Sequence, residues 1–223
     1  MKNVTLIIPA KNESRALPIV LNKLRKFNFK IMVVLHKSDV KTINSIKKFK
    51  IKILYQNNQG YGDALIKGIN NCKTDLFCIF NADGSFKITE IFKMKNFLQS
   101  KKLDFVFGSR YQKNARSYDD TIITSIGNFF FTKFGQIFFG LPITDILYTF
   151  VLGKTAKAKK LNLIEKKFSF CIELPIKAVR KNMSIASSSS IEFKRIAGDK
   201  KVNEFRDGLK ILYSMIKLFF KNG

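Results

Sequence analysis

Tryptophan is absent from this 223-residue chain, histidine occurs once, at His36, and there are only four prolines and three cysteines. A structural zinc needs four Cys or His ligands at short spacing, and Cys72, Cys78 and Cys171 with one histidine supply no such set. Cysteines that are few and odd in number read as buried or free thiols of a reducing cytoplasm, not as a disulfide framework. Acids are scarce too: 16 Asp and Glu against 41 Lys and Arg leave a net charge of +25. That balance favours anionic partners, whether nucleic acid, an acidic membrane surface or a phosphorylated substrate. A composition rich in Lys, Asn, Ile and Phe, of the kind an AT-rich genome produces, accounts for part of it. No uncharged apolar run of about 18 residues occurs, so no membrane-spanning helix is expected. Val4 to Ile8 is short, meets Pro9 at once and reads as a strand, not an export signal. There is no internal repeat and no Gly, Ser or Pro tract, and the 46% hydrophobic content suffices for one sizeable core.

What is present is alternation. Strand-like runs at Val4 to Ile8, Ile31 to Leu35, Ile51 to Tyr55, Leu76 to Phe80 and Phe105 to Phe107 are separated by helix-like stretches at Ala16 to Phe27, Lys41 to Lys48, Gly62 to Asn71 and Ile88 to Ser100. Repeated βα units predict an α/β domain with a Rossmann-like, mostly parallel sheet flanked by helices. A single unit is expected, with a nucleotide-binding half over about 1–111 and an acceptor-side half over about 112–223.

In such a sheet ligands sit beyond the carboxyl ends of the strands. Pro9 to Glu13, His36 to Asp39, Asn57 to Gly62, Asn81 to Ser85 and Gly108 to Tyr111 follow the five strands in turn, so polar and glycine residues gather at one sheet edge and describe a pocket. Asn81-Ala82-Asp83-Gly84 stands out among them. It is good turn chemistry, with Asp83 ending a strand, and it is equally a carboxylate placed to hold a divalent cation against a departing diphosphate.

Two aromatic and aliphatic stripes follow. Thr121 to Thr144 carries Phe129-Phe130-Phe131, Phe134, Phe138 and Phe139 with Lys133 as its one charge, and Leu209 to Phe220 sets Lys210 and Lys217 beside Ile211, Met215, Phe219 and Phe220. Each stripe either packs into the core or lies in a membrane interface.

The ordered pieces Ile8-Pro9-Ala10-Lys11-Asn12-Glu13, Asn58-Gln59-Gly60-Tyr61-Gly62-Asp63-Ala64 with Gly68, Asn81-Ala82-Asp83-Gly84, Gly108-Ser109-Arg110-Tyr111, Asp145, Glu173-Leu174-Pro175, Arg195-Ile196-Ala197-Gly198-Asp199-Lys200 and Arg206-Asp207-Gly208 span roughly residues 4–210. In this order the chain resembles the family 2 glycosyltransferases of the GT-A fold, in particular the polyprenyl-phosphate sugar transferases similar to dolichol-phosphate mannosyltransferase.

The resemblance implies a nucleotide-sugar donor over the first strands, with Pro9, Ala10, Asn12 and Glu13 on its base and ribose side and Gly60 and Gly62 packed close to it; plain packing explains the glycines as well. It implies that Asp83 coordinates Mg²⁺ or Mn²⁺ on the donor diphosphate. Arg110, Arg195 and Lys200 are the cations expected to grip the diphosphate or an acceptor phosphate, the last two on a lid hinged at Gly198. A lipid-phosphate acceptor is already an anion and needs no strong base; a glycan hydroxyl does, and Asp145 or Glu173 is then either that base or a structural hydrogen-bond acceptor. The implied place of work is peripheral, in the cytoplasm at the inner face of the membrane.

Three departures from the family pattern matter. Where relatives carry paired aspartates after the second strand, this chain has Leu35-His36-Lys37-Ser38-Asp39, so His36 either contacts a nucleotide or caps the strand, and Asp39 substitutes for a missing acid. Asn81 replaces the first acid of the metal motif, and the arginines expected after Gly-Ser-Arg are not clearly matched in Thr121 to Asn128. These departures motivate a competing reading as a non-catalytic membrane-binding or partner-binding module. Specific nucleic-acid binding is not expected, since no helix-turn-helix or RNA-binding aromatic motif accompanies the charge.

Overall fold

The computed structural model describes residues 3–58, 60–198 and 203–220. Its central sheet takes β1 (Val4–Pro9), β2 (Lys30–Leu35), β3 (Lys52–Tyr55), β4 (Leu76–Ile79), β5 (Phe105–Ser109), β7 (Val151–Lys154) and β8 (Ile185–Ser189) in the order β3-β2-β1-β4-β7-β5-β8. Every pairing is parallel except those of β7, which runs antiparallel to both β4 and β5. The α/β architecture with a mostly parallel sheet is as expected. The five early strands begin or end within two residues of the expected bounds.

Both faces of the sheet are covered, which is why these strands read as near-continuous apolar runs. The period of two sorts them. Ile7, Phe77, Ile79, Phe105 and Phe107 point to one face, where α3 (Tyr61–Asn71), α5 (Ile122–Phe139), α6 (Thr155–Lys159), α7 (Phe170–Arg180) and α8 (Glu204–Phe220) supply the packing. Leu6, Ile8, Cys78 and Val106 point to the other, under α1 (Leu17–Leu24), α2 (Val40–Ile46) and α4 (Glu90–Ser100). All three cysteines are buried free thiols.

Strands β7 and β8 were not anticipated. The first hides in the apolar run toward Gly153, and the second is the serine-rich Ile-Ala-Ser-Ser-Ser, which composition alone marks as loop. A further short pair, β6 (Arg116–Ser117) with β9 (Ile191–Glu192), and the bridge from Phe86 to Glu192 tie the two halves of the chain together above the sheet.

The Phe-rich helix α5 starts at a capping box formed by Thr121 and Thr124 and stops at Gly140, which takes φ +63°. One face of it packs into the core and the rest is exposed. Asn128, Phe131, Thr132 and Gly135 are buried, whereas Ile122, Ile126, Phe129 and Ile137 are more than 60% exposed. Helix α8 repeats this, burying Ile211, Ser214 and Met215 and exposing Phe205, Leu209, Tyr213 and Phe220.

Gly153 in β7 lets two aromatic rings close over the strand: a Cβ there would lie 2.3 Å from Phe105 Cδ1 and 3.0 Å from Phe77 Cε1. Gly153→Ala is expected to lower unfolding free energy by about 1–3 kcal/mol through overpacking, read as an earlier midpoint in urea with an unchanged slope.

Candidate functional site

The carboxyl ends of β1, β2, β3, β4 and β5 open into a cleft of about 690 Å³. Pro9, Ala10, Lys11, Asn12 and Glu13 line it after β1, His36, Ser38 and Asp39 after β2, Gln56 and Gly60 after β3, Asn81, Ala82 and Asp83 after β4, and Arg110 after β5. The α5 and α8 side closes it with Thr124, Asn128, Asn203, Arg206, Asp207 and Lys210. Acidic and basic lining residues nearly balance, in contrast with the chain as a whole.

Asp83 is held by its own turn. Its Oδ1 accepts from Ser85 N at 3.0 Å and Ser85 Oγ at 2.8 Å, and Gly84 takes φ +81°. The segment after β9 straps this turn down: Phe193 N donates to Ser85 O and Ile196 N to Asp83 O, both at 2.8 Å. Ile196 fills the space over Gly84, where a Cβ would meet it at 2.4 Å. Asp83 Oδ2 has no protein partner among the described residues. Asn81 Nδ2 donates to Ser85 Oγ at 3.3 Å, which leaves its carbonyl oxygen as the second hard donor nearby.

Among the described residues no three His, Cys, Asp or Glu side chains are grouped to hold a metal ion. One open carboxylate oxygen and one amide carbonyl suit a hard cation that takes its remaining ligands from phosphate and water, the habit of Mg²⁺, and they suit no all-protein cage.

Arg110 is the most constrained charge of the cleft. Nε and Nη2 donate to the two oxygens of Asp145 at 2.8 and 3.0 Å, its backbone N–H adds a bond of 3.0 Å to Oδ2, and Nη1 donates to Glu192 at 3.2 Å. The guanidinium also lies 4.7 Å from the centre of the Tyr148 ring. Burial alone would lower its pKa; Asp145 and Glu192 outweigh burial and hold it well above the usual value. Burial pushes the Glu192 carboxyl up, and Arg110 only partly offsets this.

Arg110 is therefore a fixed framework charge, not the free phosphate grip expected of it. Asp145 is wholly buried, outside the cleft lining, and paired with Arg110, the geometry of the structural hydrogen-bond acceptor that was its alternative to a base.

Glu173 likewise has the geometry of its structural alternative. Its fully buried carboxylate accepts from Ile164 N at 3.0 Å and Glu165 N at 2.9 Å and pairs with Lys177 at 2.7 Å, so it fastens the 162–167 loop and does not reach the cleft. That loop is what Gly60 and Gly62 pack against: Cβ atoms there would lie 2.1 Å from Lys166 O and 2.0 Å from Glu165 O. Gly62 does not line the cleft, and Gly60 does.

Arg195 does line the cleft and is paired with Asp119, whose hydrogen bond raises its pKa. Lys200 lies outside the described residues. Asp39 spends both oxygens on backbone, Oδ2 on Asn12 N at 2.7 Å and Oδ1 on Thr42 N at 3.3 Å as the cap of α2. It fixes Asn12, which takes φ +56°.

Sequence reasoning missed Glu192, Asp119, Asp120, Tyr148, Gln56 and Asn128. The adjacent acids Asp119 and Asp120, soon after Gly-Ser-Arg, were a usable signal; Glu192, in an unrecognised two-residue strand, left none.

Three comparisons bear on this site. The model of the family described as "Glycosyl transferase family 2" matches residues 5–161. A UDP-N-acetylglucosamine–dolichyl-phosphate N-acetylglucosaminyltransferase of Methanococcus voltae is 25% identical over 97% of this chain and 96% of its own. Among solved structures, glucosyl-3-phosphoglycerate synthase from Mycobacterium tuberculosis with Mn²⁺, UDP and glucosyl-3-phosphoglycerate superposes with a TM-score of 0.74 at 12% identity, over 97% of this chain and 80% of that one. The same enzyme with Mg²⁺ and UDP gives 0.70 at 13% identity, over 96% and 79%. The structural likeness shows that the fold is that of these glycosyltransferases.

Asp145→Asn is expected to cost about 3–5 kcal/mol, because it strips the buried Arg110 of its principal counter-charge; denaturant unfolding measures it. Glu173→Gln is expected to lower stability and to leave cleft chemistry intact, with ligand affinity within about twofold of the parent protein.

Proposed function

Because the chain belongs to glycosyl transferase family 2, we propose that its strand-end cleft transfers a sugar from a nucleotide donor to a lipid-linked phosphate at a membrane surface. The observation that carries this is Asp83: a carboxylate strapped in place at the end of β4, with one oxygen open to the cleft between the β1 and β2 termini on one side and Arg110 and Arg195 on the other.

Asp83 and the Asn81 carbonyl would hold Mg²⁺ or Mn²⁺, which when bound supplies charge to neutralise a departing nucleoside diphosphate. The chain's own groups do the rest. Arg195, released from Asp119, can turn a bidentate face to phosphate oxygens. Arg110, locked between Asp145 and Glu192, keeps that wall of the cleft in place as charge develops on the leaving group. Tyr61, stacked on Phe168 at 5.3 Å and bonded to Thr149 at 2.5 Å, walls off water on the α7 side.

An acceptor phosphate is an anion at neutral pH, so displacement at the anomeric carbon needs no proton acceptor. A lipid phosphate would therefore call on neither Asp145 nor Glu173, both of which are committed elsewhere.

The acceptor side supports the same reading. Helices α5 and α8 turn Thr124, Asn128, Arg206 and Lys210 to the cleft and expose Ile122, Ile126, Phe129, Phe205 and Leu209 beside its mouth. Apolar helix faces flanked by lysines lie well in an anionic lipid interface. No helix of the described residues is long and apolar enough to cross a membrane. We place the working protein peripherally, at the cytoplasmic face.

Calorimetric titration with nucleoside diphosphates and nucleotide sugars, with and without Mn²⁺, tests the donor half. The expected result is metal-dependent binding that weakens at least about tenfold in Asp83→Ala, the loss of a principal charged ligand; a folded protein that binds none of them contradicts the proposal.

For the acceptor half, sedimentation with anionic phosphatidylglycerol vesicles is expected to be strong for the parent chain and lost in Phe129→Glu with Leu209→Glu. Equal partitioning of both proteins would remove the membrane part of the reading.

A further inference from the structure

Helices α5 and α8 run side by side in the same direction. At their far ends Phe138 and Phe139 of α5 meet Phe219 of α8 edge to face, with ring centres 5.7 and 6.1 Å apart. Arg180 of α7 reinforces this end, donating to the carbonyl of Leu218 and lying over the Phe139 ring at 5.5 Å. At their starts, Thr121 Oγ1 donates to Glu204 Oε1 at 3.2 Å, a bond between exposed residues.

Packing is absent from the starts. The first residue that α5 buries is Asn128, and the first that α8 buries is Ile211. Before them stand Ile122, Ile126, Phe205 and Leu209, each more than 60% exposed. Several ring contacts joined by an arginine hold better than a hydrogen bond that water can replace, so the pair is hinged near Phe219 and parts most easily at Thr121 and Glu204.

The wall behind that weak end belongs to the cleft. Thr124 and Asn128, one turn apart on α5, and Arg206 and Lys210, one turn apart on α8, line the same cavity. Asn128 Oδ1 accepts from Leu147 N at 3.0 Å, whereas Nδ2 is, among the described residues, the buried side-chain polar atom with no partner. An unpaired buried amide N–H is a cost borne by the closed arrangement, and an opened wall relieves it through water or a ligand oxygen. Opposing this, parting the helices in water exposes Ile211 and Met215, which now share an apolar cluster with Phe131 of α5. Against lipid that opposing cost falls away, because acyl chains are as apolar as the side chains they replace, and the unpaired amide still favours opening.

We infer that α5 and α8 form a gate worked by the membrane. It is closed in water across Thr121 and Glu204, and it opens at that end when Ile122, Ile126, Phe205 and Leu209 enter lipid, which admits the headgroup of the lipid substrate to the cleft. This rests on the transferase reading above and adds its regulation.

Spin labels on Thr121→Cys and Glu204→Cys in the full chain report the gate directly, since the three native cysteines are buried. The distance between them is expected to lengthen when phosphatidylglycerol vesicles are added. Joining the two introduced thiols with a short reducible crosslinker is expected to leave nucleoside diphosphate affinity in Mn²⁺ within about twofold and to slow sugar transfer to a polyprenyl phosphate at least about tenfold. The crosslinked protein still sediments with vesicles, and reduction restores transfer, which a misfolded variant does not show. An unchanged distance on vesicles, a crosslinked protein that transfers as fast as the reduced one, or one that no longer sediments with vesicles overturns the gate and leaves the transferase reading standing. Nucleotide binding without any transfer by the parent chain overturns that reading instead, and the distance between the labels still decides the gate.

Discussion

The rest of the site depends on one buried ion pair, Arg110 with Asp145. Arg110 ends β5 and Asp145 precedes β7, the strand that inserts antiparallel between β4 and β5, so the pair fixes how the second half of the chain returns into the sheet. Glu192, bonded to the same guanidinium, brings in β9, and the segment that follows it straps the Asp83 turn. A buried ion pair is weak evidence for net stability, since desolvation consumes much of its attraction. Its value here is in specification: three distant segments are brought to one point, and a misplaced one leaves a charge unpaired.

The cleft is close to charge balance although the chain as a whole is strongly positive. Two cations of the cleft are matched by carboxylates, Arg110 by Asp145 and Glu192 and Arg195 by Asp119. Lys133 of α5 and Lys217 of α8 are exposed on the helices that also carry exposed apolar residues.

The five early strands and the cleft at their ends were legible because period-two burial and turn chemistry are local signals. Where the chain departs from local rules it was not legible. β8 is built of serines, and its place at the sheet edge comes from pairing with β5; β9 is two residues long. Side-chain roles were harder still. Arg110, Asp145 and Glu173 have the residue types of catalysis, yet their commitments are to partners 35, 82 and 8 or 9 positions away, which spacing does not announce. Asp83 was legible as a residue in a strand-end turn, but not the strap of Phe193 and Ile196 that holds it.

The central claim is that this cleft moves a sugar from a nucleotide to a lipid phosphate. The direct measurement incubates the purified full chain with radiolabelled nucleotide sugars, Mn²⁺ and vesicles that contain a polyprenyl phosphate, and follows label into the organic phase. The account predicts lipid-borne label that requires both the metal and Asp83. Label that stays aqueous with every donor, from a protein that is folded and binds nucleotide, would contradict it.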